Sequence, residues 1–199
     1  MLVVKIIILI CIIFIIYRII FKQLTLYFIK SLKNIGYFKY SSIYNINSIA
    51  RKIMIKKSPY IDSCRNFSYE KLENMEITTI NFFKDLDYIL NKNDIDTESM
   101  KEYRDEYGNI DISIEDFDIE IYKSDEDRGV YIRRLVLLIN LLLLGANSIE
   151  KVYLIEDTKE IVFLTESLYK KIIKSKIINS IYKPIEIHSD NKKDDEDAI

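Results

Sequence analysis

The sequence predicts an α+β fold: an N-terminal transmembrane helix, then amphipathic basic helices, then a small α+β domain with antiparallel hairpins. Three observations predict it. The chain begins with an almost uninterrupted apolar run, Ile6–Tyr17, flanked by further apolar residues from Met1 to Phe21. It holds no Asp or Glu before Asp62. Beyond that point, segments of helical and of alternating hydrophobic period follow one another without a repeat.

Composition sets the outer bounds. At 199 residues, 49% hydrophobic and 30% charged, the chain has room for an anchor and one packed domain. Roughly a fifth of the residues are Ile, while Gly (4) and Pro (2) are scarce. This bias suits an AT-rich genome, because Gly and Pro require GC-rich codons. The two cysteines, Cys11 and Cys64, are too few for a disulfide framework and point to a reducing compartment.

Residues 1–21 form the first element. The uncharged core Ile6–Tyr17 reaches only about 18 Å as a helix, short of the ~30 Å hydrocarbon layer. Met1–Phe21 reaches about 31 Å, interrupted by Lys5 and Arg18 near its ends, where long basic side chains can send their charge to the headgroups. The core is followed by Tyr-Arg-Ile-Ile-Phe-Lys and not by the small residues of a signal-peptidase site, so a retained anchor is expected over a cleaved signal or a soluble core helix. Arg18, Lys22, Lys30 and Lys33 outnumber Lys5 across the run, which predicts N-terminus out and a cytoplasmic C-terminal bulk.

Residues 22–61 form the basic juxtamembrane segment. Leu24, Phe28, Leu32 and Ile35 share one helical arc, opposite Lys22, Lys30 and Lys33. A second helix is expected over Asn47–Lys57. Arg18, Lys22, Lys30, Lys33, Lys39, Arg51, Lys52, Lys56 and Lys57 are the candidate contacts to anionic lipid headgroups, at about 1 kcal/mol per basic residue. The plainer alternative is two surface helices with solvated lysines. Nucleic acid is not an expected partner, because the remaining 138 residues carry all 31 acids against 19 bases.

Residues 62–187 form the acidic α+β domain. A helix is expected over Thr79–Asn91 and a short one over Thr97–Glu106, then a turn at Tyr107-Gly108-Asn109. Ile110, Ile112 and Ile114 alternate with polar residues as a strand does. Phe117, Ile119 and Ile121 continue in the opposite parity, which calls for a bulge or turn near Glu115-Asp116. Val130–Leu144 reads as a buried central helix stopped by Gly145, with a membrane-dipping segment as the alternative. Lys151–Glu156 and Glu160–Thr165 read as a hairpin turning at Asp157–Lys159, and Ser167–Tyr182 as a helix before Pro184. Residues 188–199 read as a disordered acidic tail.

Chemistry-bearing motifs are sparse. His188 is the only histidine, and four glycines cannot build a phosphate loop. Four D-x-D triplets (Asp85/Asp87, Asp94/Asp96, Asp116/Asp118, Asp125/Asp127) could share a divalent cation only where the backbone is extended or turned. Asn66-Phe-Ser68 matches a glycosylation sequon that a cytoplasmic domain leaves unused. Asn140, amid leucines, is expected to satisfy its amide on nearby backbone or across a helix pair. No cofactor, metal site or catalytic group is implied. The expected function is a single-pass, membrane-anchored, non-enzymatic interaction protein that binds a protein partner: a scaffold, a tether or an accessory subunit of a membrane complex. A small anchored metal-dependent transferase using a D-x-D pair, and a subunit of a large assembly with a buried N-terminal helix, are the alternatives.

Overall fold

The computed structural model of the chain describes residues 2–40, 46–60, 65–114 and 117–188. It is a mixed helix-and-sheet protein in two compact units. One comprises Met1–Arg65 with Glu166–Lys183, the other Asn66–Thr165 with Pro184–Ile199.

The first unit is helical. Helix α1 runs unbroken over Leu2–Asn34, about 50 Å of helix, so the apolar run and the basic segment after it share one element. Its lower half buries Thr25, Phe28, Ile29 and Leu32, while Leu24 is 52% exposed. The buried stripe is therefore rotated from the arc expected through Leu24. Thr25 tolerates burial because its hydroxyl donates to the Phe21 carbonyl at 2.8 Å. The helix ends where Gly36 takes φ +81°. Gly36 N–H then bonds the Lys33 carbonyl and Tyr37 N–H the Leu32 carbonyl, which satisfies two of the last carbonyls of α1.

Helix α2 (Ile46–Lys56) packs against α1 and buries Ile53. Lys57, at φ +54°, closes it by bonding back to the Ile53 carbonyl. Arg65 is buried. Its Nε donates to the Tyr37 carbonyl (2.6 Å), its Nη2 donates to the Gly36 carbonyl (3.0 Å), and its guanidinium lies 4.6 Å from the Tyr40 ring centroid. It thus fastens the turn that ends α1, where the helix dipole favours a cation.

The second unit carries two three-stranded antiparallel sheets. In one, the order is β1 (Asn66–Ser68), β6 (Glu160–Thr165), β5 (Glu150–Ile155). The other is a meander of β2 (Lys101–Arg104), β3 (Ile110–Ile114) and β4 (Phe117–Tyr122). Helices α3 (Glu70–Glu73), α4 (Thr79–Asn91) and α5 (Arg128–Gly145) complete the unit. Helix α4 matches its expected bounds, with Thr78 capping it by accepting from Asn81 N–H. It stops where Asp94 turns left-handed (φ +60°) and Ile95 N–H bonds the Leu90 carbonyl, with both apolar side chains buried.

The helix expected over Thr97–Glu106 is corrected to strand β2. Glu102 decides this, because its carboxylate accepts from the Thr79 (2.6 Å) and Ile80 (3.3 Å) N–H groups at the start of α4. That tertiary bond ties the segment to α4, while Lys101–Arg104 pairs residue by residue with β3. Strand β3 buries Ile110 and Ile112 and leaves Asp111 and Ser113 wetter, as alternation requires. A bulge lies between Ile110 and Asp111. The turn expected at Glu115-Asp116 lies outside the described residues, as does the tail from residue 189.

Helix α5 is central. It buries Tyr131, Ile132, Leu135, Val136, Leu138, Ile139 and Leu143, so it is a core helix and not a membrane-dipping one. It runs through Gly145 and stops instead at Asn147 (φ +55°), where Asn147 N–H bonds Leu144 O and Ser148 N–H bonds Leu143 O. Asn can hold that left-handed position at modest cost.

Asn140 protects a sheet edge. Its amide donates to the Val152 carbonyl (3.0 Å) and accepts from the Val152 N–H (2.7 Å), standing in for a neighbouring strand. Two residues along β5, Leu154 exchanges both backbone bonds with Ile185. Together they cover the outer edge of β5, which would otherwise offer unpaired groups to another chain.

In the first unit, the helix expected over Ser167–Tyr182 is shorter. Helix α6 spans Glu166–Ile173, and a 3-10 turn covers Ser180–Tyr182. Ser175 and Asn179 interrupt it, their side chains accepting from Ile177 and Ile181 N–H. Leu168, Ile172 and Ile178 are buried.

Asn140→Leu strands the buried Val152 N–H and carbonyl, and should destabilise the full-length protein in detergent by about 2–4 kcal/mol. Urea denaturation at unchanged m-value measures this. A loss under about 0.5 kcal/mol would contradict the edge-capping role.

Candidate functional site

The most distinctive surface is the upper half of α1. From Val4 to Ile20 its large apolar side chains are 47–59% exposed. Among the described residues this is the one helix long and apolar enough to cross a membrane, with mean hydropathy 2.9 in a window of which none is buried. Cys11 lies in the middle of this stretch and is exposed. The exposed run spans about 25 Å, and Lys5 near its N-terminal end extends its reach. Side chains on a helix lean toward its N-terminus, so Lys5 leans outward and Arg18 inward. Arg18 accordingly lies over the Phe14 ring, 5.4 Å from its centroid, a contact that strengthens when water is excluded.

The sequence-predicted basic residues fall on α1, on α2 and on the turns after them. Arg18, Lys22, Lys30, Lys33, Lys39, Arg51, Lys56 and Lys57 are exposed, and Lys52 is half-buried. Lys57 Nζ lies 5.2 Å from the Phe21 ring centroid, which brings the end of α2 to the level where the exposed run of α1 stops. Lys39 lies 5.0 Å from the Tyr40 ring. Arg65 was not legible as part of this unit. It follows Asp62 in a stretch of mixed polarity, and only the fold brings it to the α1 turn.

The second unit holds a cleft of about 360 Å³ lined by Tyr69, Glu73, Arg133, Glu156 and Lys159, among others. Four of its five charged groups pair with one another, and the fifth, Asp127, accepts from Gly129 N–H at the start of α5. Lys159 Nζ pairs with Glu73 at 2.5 Å and Arg133 with Glu156 at 3.2 Å. The hydrogen bond to Glu73 raises the Lys159 pKa. Burial, with Glu73 and Glu156 nearby, pushes the Tyr69 phenol up to about 12. Tyr131 is likewise pushed up to about 12 by burial while its hydroxyl bonds Thr79 at 2.7 Å.

Three of the D-x-D carboxylates are locally engaged. Asp87 accepts from the Thr97 hydroxyl, Asp96 from Glu98 N–H and Asp127 from Gly129 N–H at the start of α5. Asp116 and Cys64 lie outside the described residues. His188 is exposed. Among the described residues no group of three or more His, Cys, Asp or Glu is placed to hold a metal ion. The sequon residue Asn66 sits in β1 with its amide bonded to Glu160 at 3.1 Å.

Compared with known proteins, the chain matches no family model, no curated protein and no solved structure.

Asp105 organises the β2–β3 loop. Desolvation pushes its carboxyl up, but bonds from Asn109 and Tyr107 outweigh this and hold it below the usual carboxylate range. A lowered folded pKa means its stabilisation is present in full above about pH 4 and is lost as pH falls through the folded value. Asp105→Ala should therefore speed amide exchange at Tyr107 and Asn109 at neutral pH, and the gap from wild type should close in acid. A gap that persists in acid would rule out the carboxylate as its cause.

Proposed function

We propose that the chain is a single-pass, N-terminally anchored membrane protein whose folded part faces the cytoplasm and works by binding a protein partner, as a scaffold, tether or accessory subunit of a membrane complex. The observation that carries the anchored reading is the division of α1. Its upper half shows apolar residues on every side, and its lower half buries one face in the folded unit without a break in the helix. Removing the upper half as a signal would cut inside a continuous helix whose next turns are part of a folded unit.

The basic residues from Arg18 to Lys57 support the orientation and a contact with anionic headgroups by the basic amphipathic segment. Arg18, Lys22, Lys30, Lys39, Arg51, Lys56 and Lys57 are exposed.

Alkaline carbonate extraction and protease protection test both parts. The full-length protein should stay with the membrane pellet, and its folded part should be digested when the cytoplasmic face is exposed. Release by carbonate would overturn the anchor. A folded part shielded inside sealed vesicles would overturn the orientation.

A further inference from the structure

The structure moves a late stretch of chain into the early basic unit. Residues 166–183 belong with Met1–Arg65, and that unit holds sixteen basic residues against two acids, Asp62 and Glu166. We propose that Lys174 and Lys176 join Lys22, Lys56 and Lys57 in one surface for anionic phospholipid headgroups at the level where α1 leaves the bilayer. The inference rests on the anchored reading above.

Three contacts set the level. The exposed apolar run of α1 stops at Ile20, and Phe21 is half-buried. Lys57 Nζ lies over the Phe21 ring, so the end of α2 is at that height. The Lys57 carbonyl accepts from Asn179 N–H at 3.0 Å, so the turn that follows α6 is stitched to the end of α2. Lys174 and Lys176 stand on that turn, more than a hundred residues along the chain from Lys57.

Exposure and pairing then sort the lysines. Lys22, Lys56, Lys174 and Lys176 are exposed, with no carboxylate partner among the described residues. Lys170 is engaged with Glu166, and Lys183 donates to the Ile173 carbonyl at 2.8 Å, so neither belongs to the surface. Ile55 (73% exposed) precedes Lys56, and Ile181 (39% exposed) lies two residues beyond Asn179, whose N–H bonds the Lys57 carbonyl. Apolar side chains beside unpaired lysines suit the headgroup boundary, where one inserts while the other meets phosphate. A nucleic-acid backbone offers the isoleucines nothing comparable, and the spanning helix already holds the surface at a bilayer.

Lysine acetylation of the full-length protein in nanodiscs reads the contact directly. A neutral acetylating reagent and mass spectrometry compare discs of phosphatidylcholine alone with discs that also contain phosphatidylserine. Lys174 and Lys176 should be acetylated at least about fivefold more slowly with the anionic lipid, while Lys92 in the acidic unit keeps its rate. Inorganic phosphate or RNA added to phosphatidylcholine discs should give no such protection. Equal rates in the two discs, or protection by phosphate or RNA alone, would overturn the proposal. Carbonate resistance measured on the same preparation separates the two readings. A protein that resists carbonate but shows equal rates loses only this surface, and one that is extracted loses the anchor itself.

Discussion

The upper half of α1 is the constraint to which everything else answers. Fourteen large apolar side chains between Val4 and Ile20 are about half exposed. At 1.5–3 kcal/mol for full burial of each, leaving them in water forgoes on the order of 10–20 kcal/mol. That matches or exceeds the whole stability of an ordinary domain, so no local capping or ion pairing can offset it. Burial in a bilayer would recover this free energy, and the helix is long and apolar enough to cross one. The lower half then transmits that placement. Phe28, Ile29 and Leu32 are buried, and the Gly36 turn with the Arg65 guanidinium on its carbonyls fixes where the helix ends. The helix that would span the membrane is thereby a structural member of the folded unit and not a leash attached to it.

Charge follows the same division. The unit that contains α1 is strongly basic, and the other unit holds the remaining acids. Segregation on this scale costs self-repulsion in each part. An anionic surface beside the basic unit would offset part of that cost. The return of residues 166–183 to the basic unit extends this logic to a stretch whose sequence neighbours are acidic.

Much of the fold was legible because its signals are local. Thr78 followed by an apolar period of 3.6 marks α4 to the residue, and the Val/Ile/Leu/Phe runs on either side of Asp157–Lys159 mark the β5–β6 hairpin. The errors arose where a distant partner or a local side-chain bond decided the outcome. Glu102 pins β2 to the start of α4, which no window around Thr97–Glu106 contains. Thr25 replaces Leu24 on the buried stripe because its hydroxyl is satisfied inside the helix. Ser175 and Asn179 bend the chain after α6 through side-chain bonds that apolar periodicity ignores. The basic residues of α1 and α2 were readable as a cluster from charge alone. Arg65, Lys174 and Lys176 were not, since only the fold assigns their segments to the basic unit.

Cys11 offers the most direct measurement of the central claim. It sits in the middle of the exposed apolar run, with its thiol facing whatever surrounds the helix. The protein is reconstituted in bilayers and treated with a membrane-impermeant maleimide, and the Cys11 peptide is followed by mass spectrometry before and after solubilisation and denaturation. The account predicts no labelling at Cys11 while the bilayer is intact and full labelling once the lipid is removed and the chain unfolded. Ready labelling in the intact bilayer would place Cys11 in water and contradict the membrane-spanning role of α1.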